Sequence, residues 1–266
     1  MRKNTNELFF QLVTLMLAII MVHAVYVTVV RPNADRIINR AAEVAAAGGD
    51  YVVPRTFFVV IKDFEQEACF ILMIWALAIM GYKTRTAKRE SRMLEMPLVS
   101  LSEGTRILPD DAGQLLRPLQ SLPEQQQAFL LPRALTSSLS RFQVTSSVES
   151  ATEAAHSACE AESSRLDSEL SMVRYITWAI PSIGFIGTVR GIGAALGQAH
   201  EAMAGNIAGV TASLGVAFNS TFVALLISMV VMFFMHQLQL MQERLVLDTY
   251  AYCENRLLRF LKSQFT

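Results

Sequence analysis

The sequence lacks a net charge and is poor in cysteine. Its 266 residues carry 23 Lys and Arg side chains against 23 Asp and Glu side chains. A balanced charge gives no general attraction to nucleic acid, so no nucleic-acid partner is expected. The three cysteines, Cys69, Cys159 and Cys253, show no CxxC spacing, and neither a zinc site nor a disulfide framework is indicated.

Recognisable enzyme motifs are missing as well. The sequence contains no nucleophile with an adjacent base, no metal-ligand spacing and no phosphate-binding loop. The paired carboxylates of Asp110 and Asp111 directly follow Pro109, which is typical of a helix start, where the helix dipole favours acidic residues. We therefore predict that the protein is not an enzyme and needs neither a metal nor another cofactor.

What the sequence does have is long apolar runs. Hydrophobic residues make up 52% of the chain, and many of them gather in four runs at residues 8–30, 68–82, 173–196 and 208–235. About 20 apolar residues cross a bilayer as a helix. The predicted fold class is therefore an all-α polytopic membrane protein. It has four transmembrane helices, and the last two continue as long cytoplasmic helical extensions.

The charges between these runs predict the topology. Five basic residues follow the second run, namely Lys83, Arg85, Lys88, Arg89 and Arg92, which places that side in the cytoplasm. With four spans, both termini are then cytoplasmic. The predicted regions are an N-terminal two-span region with an outer loop (1–82), a cytoplasmic helical region (83–172), the hairpin of the last two spans (173–236) and a cytoplasmic helical tail (237–266). Apolar positions at three- and four-residue steps predict one long helix from Val144 into the third span.

Two patterns of small residues mark the last two spans. The third has two GxxxG spacings, Gly187 with Gly191 and Gly193 with Gly197, which let helices approach closely in a membrane. On the fourth, one helical face carries small and hydroxyl side chains, namely Ser213, Ala217, Thr221, Ala224 and Ser228. Such a face either packs against a neighbouring helix or lines a narrow polar path.

The combined pattern is more specific than either part. The stretch IPSIGFIGTVRGI at residues 180–192, followed by GVTASLGVAFNSTFVALLIS, resembles the two signature spans of the MotA/TolQ/ExbB proton-channel family. Its residues Pro181, Gly184, Gly187, Thr188, Val189 and Gly191 match the family's run Pro-x-x-Gly-x-x-Gly-Thr-Val-x-Gly, and Thr221 matches the threonine of the family's last span.

The resemblance implies the pore-forming subunit of an ion-driven, energy-transducing complex in the bacterial inner membrane. Five copies would surround two copies of a single-span partner similar to MotB, ExbD or TolR, whose aspartate carries H⁺ or Na⁺. It also implies an ion pathway along Thr188 and Thr221, with Ser213, Ala217 and Ser228 on the same face. Pro181, Gly184, Gly187 and Gly191 would serve helix packing or act as a hinge.

The residues themselves are consistent with this dependence on a partner. None of the four apolar runs contains Asp or Glu, so the chain is expected to hold no carboxylate of its own in the membrane. A threonine hydroxyl both donates and accepts, and so can solvate a carboxylate or a passing water. In the alternative interpretation, each threonine only bonds back to a carbonyl of its own helix.

Arg190 departs from the family, which has an uncharged residue at this place. It lies about 200° around the helix from Thr188 and is expected to point away from the pore. There it would reach the headgroups or pair with Glu201, the alternative being an intersubunit or gating contact. His23 is expected at the membrane interface rather than in a proton relay. The alternative to an ion-driven complex is a non-conducting scaffold that organises envelope proteins.

Overall fold

A computed structural model describes residues 2–46, 55–99, 106–205 and 207–262. The α-helices in chain order are α1 (Arg2–Val25), α2 (Arg31–Ala46), α3 (Phe57–Ile61), α4 (Phe64–Ser91), α5 (Ala112–Gln120), α6 (Glu124–Gln127), α7 (Leu130–Thr145), α8 (Val148–Glu169), α9 (Ser171–Gly197), α10 (Ala199–Met203) and α11 (Ala208–Arg256). The chain forms two compact units. The first contains Met1–Met80 and Met172–Met235, and the second contains Gly81–Ser171 and His236–Thr266.

The predicted all-α fold with four membrane-spanning helices is confirmed. Four helical segments are long and apolar enough to cross a membrane, namely Glu7–Val44, Phe64–Glu95, Val148–Gly197 and Ala208–Phe260. The described ranges contain no strand, only an isolated bridge between Ile107 and Leu261. The second helix, however, begins at Phe64 rather than at residue 68. This earlier start brings Glu65 and Glu67 into the first turn of the helix, ahead of the apolar run at residues 68–82.

The first span of the first unit contains a π-helix. Its five residues, Tyr26–Val30, join α1 to α2 without a break. Buried residues on this span recur at every fourth position, namely Ala18, Val22, Tyr26, Val30 and Ala34. In a regular α-helix a four-residue step drifts around the axis, since one turn takes 3.6 residues. The wider π turn takes up the surplus residues and keeps these side chains on one face.

The second unit is held by an apolar core between short helices. Its most buried members include Leu135, Leu139 and Phe142 of α7, each 0% exposed, packed with Ala151 and Ala155 of α8. The end of the chain closes this core through Cys253, Leu257 and Leu261. Two backbone hydrogen bonds fix that closure: the Ile107 amide donates to the Phe260 carbonyl at 2.9 Å, and the Lys262 amide to the Ile107 carbonyl at 3.1 Å.

The helix predicted to start at Val144 starts four residues later. Thr145 is the last residue of α7, and Ser146 adopts a left-handed conformation with φ of 52°, which ends the helix. Ser147 then caps α8, because its hydroxyl accepts a hydrogen bond from the Ser150 amide at 3.2 Å. A second interruption, at Leu170, separates α8 from α9.

This junction gives a paired stability prediction. Ser147→Ala removes the cap of α8 and should lower the free energy of unfolding of the second unit by about 1 kcal/mol. Ser146→Gly relieves the left-handed serine and should raise it by up to about 1 kcal/mol. Hydrogen exchange of the first amides of α8, measured in the detergent-solubilised chain, distinguishes the two variants. Equal protection in both variants would contradict the capping geometry.

Candidate functional site

Helices α9 and α11 meet along a line of glycines, which we call the α9–α11 seam. Its members are Gly184, Gly187 and Gly191 on α9 and Ala217, Ser220 and Ala224 on α11. A β-carbon at Gly187 would lie 2.5 Å from Ser220 Cβ, and one at Gly191 would lie 2.7 Å from Ala217 Cβ. Neither position has room for a side chain. The other GxxxG spacing behaves differently, because a β-carbon at Gly193 or Gly197 meets nothing within 4 Å.

The two candidate threonines lie together in this seam. The Thr188 and Thr221 hydroxyls are hydrogen-bonded to each other. Thr188 Oγ1 is also 3.1 Å from the Ala217 carbonyl and 3.3 Å from the Gly184 carbonyl, and Thr221 Oγ1 is 3.2 Å from the same Gly184 carbonyl. The hydroxyls therefore bond across the helix pair and not only to their own helices.

This hydroxyl pair can rearrange without moving the backbone. Each hydroxyl carries one proton and two lone pairs, and its hydrogen rotates freely. Two protons are shared here among two carbonyls and the hydroxyl–hydroxyl contact. One of the hydroxyl oxygens can therefore change from donor to acceptor by bond rotation alone. That is the property required of groups that solvate a carboxylate in both its charged and its neutral state.

Pro181 and Ser228 form a compensating pair at the other end of the seam. A proline has no N–H, so Pro181 leaves the carbonyl four residues earlier, that of Thr177, without its helical donor. The Ser228 hydroxyl of α11 donates to that carbonyl at 3.2 Å. Ser228 is 6% exposed. In this chain its hydroxyl supplies the hydrogen bond that Pro181 cannot give to α9, a role that the spacing on α11 alone did not reveal.

The remaining predicted pathway residues also face α9. Ala217 is fully buried against Gly191, and Ser213 Oγ accepts a hydrogen bond from Gln198 Nε2 at 3.4 Å. Ser213 and Ser228 are 15 positions apart on α11, or about 22 Å along the helix. The structure thus joins Ala217 to the threonine pair and places the two serines at opposite ends of the seam.

Arg190 pairs with Glu65 rather than with Glu201. Its guanidinium contacts the carboxylate at two points, Nε to Oε1 at 2.7 Å and Nη2 to Oε2 at 2.9 Å. The Glu65 side chain is 10% exposed and that of Arg190 is 51% exposed. The pairing follows from the earlier start of α4, which brings Glu65 beside Gly187. A two-point Arg–carboxylate contact is among the strongest charge-assisted hydrogen bonds.

A second buried carboxylate, Glu67, is held by the first span. Its two oxygens contact His23 Nδ1 at 2.7 Å and Arg31 Nη2 at 2.5 Å. His23 and Arg31 are eight positions apart, more than the roughly 7.2 residues of two α-helical turns. The intervening π-helix absorbs the difference and lets both reach Glu67. His23 is thus a hydrogen-bond partner of Glu67 as well as a partly exposed residue, a contact that sequence reasoning missed.

Sequence comparison gives one family. Residues 126–250 match the model of the MotA/TolQ/ExbB proton channel family. No curated protein and no solved structure matches the chain significantly. The matched range begins in α6 and contains the whole α9–α11 seam, both threonines and Arg190. The match supports the resemblance of this part of the chain to the MotA/TolQ/ExbB proton channel family.

The match and the four helices that are long and apolar enough to span a membrane support a multi-pass membrane protein related to that family's channel and energy-transducing subunits. The region N-terminal to residue 126 lies outside the match. That region supplies Glu65, Glu67, Arg31 and His23, so both buried ion pairs of the first unit involve residues that the family pattern does not cover.

The seam gives a prediction with an internal control. At Gly191 an added methyl group would meet the Ala217 amide nitrogen at 2.7 Å and the Ser213 carbonyl oxygen at 2.8 Å, and backbone atoms cannot swing aside. Gly191→Ala should therefore cost about 1–3 kcal/mol of stability. Gly193→Ala, two residues away in open space, should cost nothing or stabilise the helix slightly. Thermal unfolding of both variants in the same detergent checks this, and equal effects would refute the close approach.

Proposed function

We propose that the chain is the pore-forming subunit of a proton-driven, energy-transducing complex. Five copies surround a pore that encloses two copies of a single-span partner, which brings an intramembrane aspartate. The observation that carries this proposal is the hydroxyl pair of Thr188 and Thr221 in the α9–α11 seam. The match of residues 126–250 to a proton channel family supports it.

The hydroxyls suit a carboxylate that is charged at one moment and neutral at the next. A carboxylate accepts hydrogen bonds, whereas a carboxylic acid also donates one. Thr188 and Thr221 can serve both forms, since each oxygen is able to donate or accept. A lysine here would instead pair permanently with the partner's aspartate. The seam therefore offers a polar surface that stabilises the transported proton without trapping it.

The two carboxylates in the first turn of α4 are not free to cycle as the partner's aspartate would. Glu65 is bound at both oxygens by Arg190, and Glu67 is shared between His23 and Arg31. Both carboxylates are thus occupied by charge-assisted contacts within the chain. This supports a mechanism in which the cycling carboxylate comes from another protein.

The surface of the hairpin supports assembly with further helices. Large apolar side chains on α9 and α11 are exposed, among them Phe185 at 65%, Ile186 at 61%, Phe218 at 67% and Phe222 at 59%. In the proposed pentamer these faces meet lipid and neighbouring subunits. We place the complex in the bacterial inner membrane with both termini in the cytoplasm. The basic residues that follow the second span support this orientation.

The central test replaces the Thr221 hydroxyl with a methyl group of nearly the same size. Thr221→Val should slow proton flux about ten- to a hundredfold, since a lost hydrogen bond to a charged group is worth roughly 1.5–3 kcal/mol. Thr188→Val should act in the same direction. Flux is measured with a pH-sensitive dye in vesicles that contain the chain with its single-span partner, while native mass spectrometry records the pentamer.

Thr211→Val is the matched control. It makes the same substitution in the same helix, at an exposed hydroxyl that bonds only to the Ile207 carbonyl of its own turn, at 3.0 Å. Its flux should equal that of the unmodified chain. Unchanged flux in Thr221→Val would remove the threonine pair from the mechanism and favour a non-conducting scaffold. A stable monomer or dimer would count against the pore itself.

A further inference from the structure

Arg190 places a permanent positive charge close to the threonine pair. It follows Thr188 by two positions on α9, and the two side chains are therefore separated by about one helix diameter, roughly 10 Å. A guanidinium stays protonated at any pH that a protein experiences. Without a counter-charge it would oppose any cation at the threonine pair. Unit charges about 10 Å apart at an effective dielectric constant near 20 change a rate by about tenfold.

Glu65 provides that counter-charge with a fixed geometry. The two contacts at 2.7 and 2.9 Å orient its carboxylate directly at the guanidinium. Gly187 makes the approach possible, because a β-carbon there would lie 3.1 Å from Glu65 Cγ and 2.6 Å from the Ser220 hydroxyl. The ion pair therefore lies directly behind the seam residue that precedes Thr188.

The other nearby acidic groups are poorer counter-charges. Both Glu67 oxygens already contact His23 and Arg31. Asp63 also feels the charge of Arg190, but burial raises the pKa of its carboxyl, with Lys62 and Arg190 opposing that shift. Its Oδ2 is buried without a hydrogen-bond partner. Among these three acids, Glu65 alone contacts Arg190 at two points.

We propose that Glu65 is the counter-ion that cancels the charge of Arg190 beside the ion pathway, and that this cancellation lets cations reach the threonine pair. The proposal rests on the proposed function and adds a residue that lies outside the family match. It differs from a purely structural brace between α4 and α9 in one respect. What matters is that the local charge sums to zero, and not that the two side chains bond to each other.

The test compares Glu65→Gln with the double variant Glu65→Gln, Arg190→Gln. The single variant leaves Arg190 uncompensated and should slow proton flux about tenfold per assembled complex, in the vesicle assay described above. The double variant has no salt bridge but is again neutral, and its flux should return to within about threefold of the unmodified complex. If the single variant fails to assemble, the double variant alone still decides, since the proposal requires it to conduct.

Glu67→Gln and its combination with Arg190→Gln form the matched control. Glu67 lies in the same helical turn and is equally buried, yet it pairs with His23 and Arg31. Removing Arg190 should not rescue any loss of flux caused by Glu67→Gln.

Normal flux in Glu65→Gln, or an assembled double variant as slow as the single one, would overturn the counter-ion role and leave the proposed function standing. Lack of flux in the unmodified complex would overturn both.

Discussion

The close approach of α9 and α11 is the constraint on which the candidate site depends. Glycines at 184, 187 and 191 remove the β-carbons that would otherwise separate the two helices. Only at this separation can Thr188 reach the Ala217 carbonyl and Thr221 the Gly184 carbonyl across the seam. In a bilayer no hydrophobic drive holds helices together, so packing and interhelical hydrogen bonds must do so. The same contact thus holds the hairpin together and arranges the hydroxyls proposed to carry ions.

The buried charges of α4 in the first unit are compensated by nearby cations. Glu65 and Glu67 are both buried, and each is held by at least one guanidinium. Removing one partner of such a pair would leave an uncompensated buried charge. The π-helix at Tyr26–Val30 is part of this arrangement, since it aligns His23 with Arg31. This irregular helical turn, which lies outside the signature motif, therefore helps to hold the charge of Glu67.

Sequence reasoning found the elements with strong periodic or compositional signals. Four apolar runs predicted the four spanning helices, and the run from Pro181 to Gly191 predicted the family. It failed where tertiary contact decides the outcome. The apolar run begins at residue 68, whereas α4 begins at Phe64, because Glu65 and Glu67 are stabilised in the helix by cations distant in sequence. Likewise, nothing in the spacing of Ser228 indicated that it would complete the backbone hydrogen bonding at Pro181.

The account requires that the cycling carboxylate come from a partner, although the chain holds carboxylates of its own. Proton flux into vesicles that contain the chain alone, compared with vesicles that contain the chain and its single-span partner, tests this most directly. We predict that the chain alone is closed to protons, because Glu65 and Glu67 are locked in ion pairs. We further predict that flux appears with the partner and is lost when the partner's membrane aspartate is replaced by asparagine. Equal flux with and without the partner would contradict the account.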